Sequence, residues 1–317
     1  MRLTTEQIRA LSVGAVRVFE AEDGIHFSKF TEKQTAAYYA LSNTLGQRAD
    51  TTTGVRLDFE TDSKTLRFGV SSGGRYEIWL NGVLRYKLHP LTDSESHEAE
   101  VALTDTLGNP CDTVRVTLCF PSHSCGVLTF LELDDGASFE RHRFDRKLLF
   151  IGDSITQGYN SHYDTLSYAY RVSRMLNADS VIQGVGGAFF HESTFDLPAF
   201  DPDTVVVAFG TNDFGRCKTM DELRDNARAF LAPLAEAYRG KRVYVIAPIW
   251  RGVQEKPMGG FRDAQRIPLE VAKELGLNAI DGLSLTPPLS EFYAGDDLHP
   301  DSQGFSLFAE ALLPHLL

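Results

Sequence analysis

Residues 147–156, KLLFIGDSIT, carry four apolar residues, Leu148 to Ile151, straight into Gly152, Asp153 and Ser154. An apolar run of this length, bounded by turn residues, reads as a buried strand. Gly, Asp and Ser are common turn formers, so the triplet alone fits an ordinary loop. The alternative is that the strand presents Ser154 as a nucleophile. The rest of the chain decides between the two.

Downstream of residue 146, apolar runs alternate with helical stretches. The runs are KLLFIG, SVIQG, TVVVAFG, RVYVIAPIW and NAIDG. Between and after them lie LSYAYRVSRML, MDELRDNARAFLAPLAEAYR, FRDAQRIPLEVAKELG and SQGFSLFAEALLPHLL. Such alternation predicts a parallel sheet with helices on both faces. Pro233, Pro268 and Pro314 fall inside helical stretches and predict kinks or early ends there.

Upstream the texture is antiparallel β. GVRLDFETDSKTLRFGV places Val55, Leu57 and Phe59, then Leu66, Phe68 and Val70, at alternate positions. Asn81-Gly82 stands between two strand-like runs, a strong hairpin signal. DTVRVTLCFP and GVLTFLELDD add two more strands, and only TTEQIRAL reads as helical, capped by Thr4 or Thr5. The expected organisation is a β-sandwich or jelly-roll domain over residues 1–145, a hinge at FERHRFDR, and an α/β domain over residues 146–317.

The chain of 317 residues is 43% apolar and 23% charged, ordinary for a soluble protein. Its net charge of −12 and lack of a basic block argue against nucleic acid or an anionic membrane as partner. No apolar run approaches the roughly 18 residues of a membrane span. The N-terminus lacks the apolar core of a signal peptide, so a cytoplasmic location is expected. The four cysteines, Cys111, Cys119, Cys125 and Cys217, form no C-x-x-C pair and suit no zinc spacing. They read as buried thiols, and no cofactor or metal is expected. GVGGAF lacks the third glycine of a dinucleotide loop and follows the wrong strand.

In open α/β sheets, ligands bind beyond the C-terminal strand ends, at the topological switch point. A flavodoxin-like strand order puts the first strand between the second and third. Ser154, Gly184 of QGVGG and Asn212 of FGTND then share one rim. A serine flanked by a backbone N–H and a side-chain amide suits acyl transfer, where donors must hold an oxyanion. Serine also needs a base. Of nine histidines, His299 stands in AGDDLHPDSQG with Asp296 three residues upstream. That spacing lets Asp296 fix the imidazole tautomer and leave Nε2 for Ser154. Asp297 is the alternative acid, and Asp301 or Ser302 caps the following helix. Asp153 reads as a turn residue and Asp213 as a helix cap.

GDSIT, QGVGG, FGTND and DDLHPDSQG, in this order, resemble the signature blocks of the GDSL-type SGNH hydrolases. The resemblance covers residues 146–317. It implies a flavodoxin-like three-layer α/β/α domain and metal-free ester hydrolysis. It implies Ser154 as nucleophile, His299 as base and Asp296 as its partner. The oxyanion hole would be Ser154, Gly184 and Asn212. Ile155 replaces the first block's usual leucine. The second block lacks the asparagine that often precedes its glycine, which leaves Gly187 as the alternative to Gly184.

The N-terminal half more faintly resembles the β-sandwich preceding the catalytic domain in some carbohydrate esterases. It points to a sugar-linked, short-chain acyl ester as substrate, with acetyl expected because nothing reads as a lipid-docking lid. Trp250 and Arg251 of APIWRG, and Arg216 after the third strand, are candidates for substrate contact. The expected activity is a serine esterase acting on a small-molecule or glycan ester. The alternatives are an acyltransferase with the same triad and a catalytically silent glycan-binding protein.

Overall fold

The computed structural model describes residues 1–90 and 96–317. Its contacts divide into two units: Met1–Phe30 with Asp50–Phe144, and Thr31–Ala49 with Asp145–Leu317.

The first unit contains two antiparallel sheets, one of six strands and one of five. Alternation along the strands builds its core. Leu57 and Phe59 of the strand Arg56–Thr61 lie in the first sheet; Leu66, Phe68 and Val70 of the strand Thr65–Val70 lie in the second. All five are fully buried in a single apolar cluster, so the sheets form a sandwich. Asn81 and Gly82 join the strands Tyr76–Leu80 and Val83–Leu88. Both have positive φ, 49° and 79°, as a two-residue type I′ hairpin turn requires. The helix Thr5–Leu11 starts in a capping box between Thr4 and Gln7.

Two helices, Glu32–Leu41 and Asn43–Ala49, interrupt this half of the chain. The sequence reading assigned no helix here. Residues 31–49 pack with the second unit, although they fall inside the stretch expected to be sandwich. The first helix has its own capping box, Thr31 with Gln34. Gln34 and Gln183 pair through their buried side-chain amides.

The second unit is built on five parallel strands: Arg146–Gly152, Ala178–Gly184, Thr204–Ala208, Arg242–Ile246 and Asn278–Ile280. The spatial order is second, first, third, fourth, fifth. The chain therefore reverses its direction of travel at the first strand, as in flavodoxin-like sheets. Right-handed crossovers then put the helix Tyr168–Met175 on one face and Met220–Ala237 with Phe261–Glu274 on the other. The last helix, Ser302–Leu316, packs on the first of these, with the Tyr168 and Phe308 rings stacked 4.1 Å apart. Pro233, Pro268 and Pro314 all lie inside helices that continue past them, rather than ending them. Each proline forfeits a backbone bond. Burial of the flanking Leu231 and Leu234, Ile267 and Val271, and Leu312 and Leu316 offsets that loss.

The four cysteines form no disulfide; Cys119 is buried in its strand, and the other three are only half-buried. No helix among the described residues is long and apolar enough to cross a membrane.

Candidate active site

The first parallel strand ends at Gly152, where a Cβ would fall 2.8 Å from the Ala208 carbonyl oxygen, so only glycine fits. Asp153 turns the chain: its Oδ1 accepts the Ile155 N–H at 2.9 Å and caps the single helical turn Ser154–Gln157. Gly158, at φ 86°, ends that turn in the left-handed region. Ser154 is left at the tip with a trace of exposure, 8%. Its Oγ lies 2.7 Å from His299 Nε2.

His299 stands on a short loop closed by the Tyr293–Pro300 bridge and by Ala294 N–H donating to the His299 carbonyl. Asp296 organises that loop. Its Oδ1 accepts the Leu298 and His299 N–H groups at 3.0 and 2.9 Å, and its Oδ2 accepts from His299 Nδ1 at 2.6 Å. A carboxylate at Nδ1 places the ring proton there and leaves Nε2 as the acceptor for the serine proton. Partial burial pushes the Asp296 carboxyl up. The His299 backbone and ring hydrogen bonds, the ring's charge and the Leu298 N–H outweigh it and hold the group below its ordinary value. Asp297 turns elsewhere: it sits at φ 49°, and its carbonyl accepts the Gly252 N–H at 2.7 Å. Asp301 caps the last helix through Gly304 N–H. Two residues shortly after Ser154 reach this pair. The Tyr159 ring lies 4.8 Å from the His299 ring, and Asn160 Nδ2 donates to Asp296 Oδ2 at 3.4 Å.

The second strand leads into a turn, Val185–Gly186–Gly187–Ala188, closed by Ala188 N–H donating to the Val185 carbonyl at 3.0 Å. Gly187, at φ 84°, occupies the position that a type II turn reserves for glycine. Three side chains grip the turn. Gln157 Oε1 accepts the Gly186 N–H at 2.7 Å. Arg48 Nη1 donates to the Gly186 carbonyl, and Asn212 Nδ2 to the Ala188 carbonyl, both at 2.8 Å. No described hydrogen bond uses the Gly187 N–H. Gly184 has a different place. It is the last residue of the strand, and a Cβ there would fall 2.6 Å from Gln157 Cα. Val185 N–H points at the Gly152 carbonyl, so the alternating backbone sends the Gly184 N–H away from the strand Arg146–Gly152. Gly184→Ala is accordingly expected to destabilise the fold by about 1–3 kcal/mol through overpacking. Thermal unfolding measures this, and an unchanged melting temperature refutes the crowding.

Asp213 does more than begin a helix. Its Oδ1 accepts the Phe190 N–H and its Oδ2 the Gly210 N–H, each at 3.1 Å, tying the second and third strand ends together. Burial pushes its carboxyl up to about 7 against those bonds. Asp153 is likewise raised to about 7, chiefly by burial.

The three candidates for substrate contact have these neighbours. Arg251 Nη1 donates to the Thr211 carbonyl at 2.9 Å, and its guanidinium lies 5.2 Å from the Phe214 ring centre. Arg216 is exposed and stacks on Phe189 at 3.9 Å. Trp250 is half-buried against Tyr293, 4.8 Å between ring centres. The sequence reading missed Gln157, Arg48, Tyr159 and Asn160. The position of Tyr159 and Asn160 directly after the turn at residues 154–158 was the one signal that pointed to them.

Residues 150–307 match the profile of the GDSL-like lipase/acylhydrolase family. No curated protein matches the sequence. Among solved structures, the chain is similar to the salicylyl-acyltransferase SsfX3 from a tetracycline biosynthetic pathway. That match has TM-score 0.82 and 19% identity, and covers 95% of this chain and 92% of that one. It is also similar to a family two carbohydrate esterase from Cellvibrio japonicus, with TM-score 0.68, 14% identity, and 100% and 96% coverage. A third is an acetyl xylan esterase from Butyrivibrio proteoclasticus, with TM-score 0.63, 15% identity, and 83% and 89% coverage.

Proposed function

Because the second half of this chain belongs to the GDSL-like lipase/acylhydrolase family, we propose that the protein is a serine esterase that removes a short acyl group, acetyl foremost, from a carbohydrate or glycoside. The observation that carries this reading is the unbroken line from Ser154 Oγ to His299 Nε2 at 2.7 Å and from His299 Nδ1 to Asp296 at 2.6 Å. A hydroxyl, a base and a carboxylate so connected are what nucleophilic acyl transfer requires.

In the proposed reaction His299 Nε2 takes the Ser154 proton as Oγ attacks the ester carbonyl. The carbonyl oxygen becomes an oxyanion held by the N–H groups of Ser154 and Gly187 and the amide of Asn212. Gly187 takes this role in place of Gly184 because no described hydrogen bond uses its N–H and three side chains grip the turn around it. Collapse breaks the bond to the alcohol, which leaves with the proton from His299. Water then attacks acyl-Ser154 with His299 again as base, releasing the acid. Asp296 keeps the imidazole in the required tautomer throughout.

The sugar-linked substrate is supported by the family two and acetyl xylan esterases, whose folds cover most of this chain. The test is acetate release from a panel of acetylated mono- and oligosaccharides, with p-nitrophenyl acetate as a generic ester. Turnover of the generic ester without any acetylated sugar would remove the carbohydrate assignment. A second reading, transfer to another alcohol in place of water, draws on the similarity to the acyltransferase SsfX3. Partition of the acyl group between water and added alcohols separates the two.

The oxyanion assignment makes its own prediction. Asn212→Ala is expected to lower kcat on p-nitrophenyl acetate by about 10²–10³ with a small change in KM, since one donor to the transition state is lost. A kcat equal to that of the unaltered protein would remove Asn212 from the hole.

A further inference from the structure

The Gly186–Gly187 peptide presents two ends to two partners. Its N–H, on Gly187, is the proposed oxyanion donor. Its carbonyl, on Gly186, accepts Arg48 Nη1 at 2.8 Å, the only described hydrogen bond on that peptide. The peptides on either side are held by other bonds: Gly186 N–H by Gln157 and Ala188 N–H by the Val185 carbonyl.

The central peptide of a β-turn is the one whose rotation interconverts type I and type II. Here both residues flanking it are glycine, so rotation meets little steric resistance. A half-turn would send the Gly187 N–H away from the nucleophile and put a carbonyl oxygen in its place, which repels an oxyanion. The Arg48 side chain lies along both glycines. A Cβ on Gly186 would fall 3.3 Å from Arg48 Cδ, and one on Gly187 would fall 3.1 Å from Arg48 Nη1.

We propose that Arg48, on the helix Asn43–Ala49, is a positioning residue that locks the Gly186–Gly187 peptide with its N–H toward the reacting carbonyl. A charged donor on the carbonyl makes a stronger bond than a neutral one and polarises the N–H at the other end. The second interrupting helix thereby gains a role in the chemistry of the strand ends. This inference rests on the Ser154 esterase reading and adds one requirement to it.

The test uses the full chain with Arg48→Met, Arg48→Lys and Arg48→Ala, each checked for an unchanged melting temperature. Arg48 is exposed, so truncation should leave the fold intact. Arg48→Met is expected to lower kcat on p-nitrophenyl acetate by about tenfold, part of the loss expected for an oxyanion donor, with KM nearly unchanged. Arg48→Lys should recover part of the rate, and low millimolar guanidinium should partly rescue Arg48→Ala. Phosphonylation of Ser154 by a fluorophosphonate should slow in parallel with kcat. A kcat for Arg48→Met within about twofold of the unaltered protein, or a raised KM at constant kcat, would overturn the lock. Both results leave the esterase reading standing if Ser154→Ala is inactive. Failure of the unaltered protein to turn over any ester would instead sink that reading.

Discussion

Ser154→Ala is expected to abolish ester turnover, with kcat on p-nitrophenyl acetate falling by at least about 10⁴. The hydroxyl is the only atom lost, and in this account it is the one that forms the covalent bond. The residue is nearly buried and its Oγ makes one described hydrogen bond, to His299. Stability should therefore change by no more than about 1 kcal/mol, the ordinary worth of such a bond. Circular dichroism and the melting temperature check that the variant is folded. A folded Ser154→Ala protein that keeps its rate would refute the mechanism.

The second large effect is expected at Asp296. An asparagine there can keep its side-chain oxygen on the Leu298 and His299 N–H groups, so the loop should hold its shape. Its NH₂ would then face His299 Nδ1. That arrangement stabilises the tautomer with the proton on Nε2, which cannot accept from Ser154. A loss of about 10³–10⁴ in kcat is expected, the scale of wrong-tautomer effects in serine hydrolases. Partial burial raises the Asp296 carboxyl, but its bonds to the His299 backbone and ring outweigh that and hold the group below its ordinary value, so the substitution removes a carboxylate that its surroundings favour in the charged form. Asp297→Asn is the control. Asparagine tolerates the left-handed conformation at this position, φ 49°, and the side chain makes no described bond to His299. Its rate should stay within about twofold of the unaltered protein. A severe loss at Asp297 and none at Asp296 would reverse the assignment.

Much of this was legible in the sequence because it was written in local signals. The run Leu148 to Ile151 read as a buried strand, and Gly152-Asp153-Ser154 marked its end. Alternation at Leu57, Phe59, Leu66 and Phe68 gave the sandwich, and Asn81-Gly82 its hairpin. Asp296 and His299 lie three residues apart, so the contact between them is a property of one loop. What escaped the reading depends on distant parts of the chain. The helix Glu32–Leu41 has an apolar pattern too weak to stand out, with few buried residues, although its Thr31–Gln34 capping box was visible. Without that helix and the next, nothing connected Arg48 to a glycine turn far downstream. The preference for Gly187 over Gly184 that we propose rests on backbone direction, which no residue name encodes. Arg251 read as a substrate contact because it follows a strand end; its hydrogen bond to the Thr211 carbonyl and its place beside the Phe214 ring are tertiary contacts that the strand-end position does not reveal. Asp213 looked like a cap, yet both its oxygens bind N–H groups of two separate loops.

The central claim is that Ser154 is a nucleophile activated by His299. The most direct measurement is reaction with a fluorophosphonate, followed by proteolysis and mass mapping of the adduct. The account predicts one stoichiometric phosphonyl group, on the peptide carrying Ser154, absent from Ser154→Ala and formed far more slowly in His299→Ala. An unmodified Ser154, or an adduct carried by another residue, would contradict it.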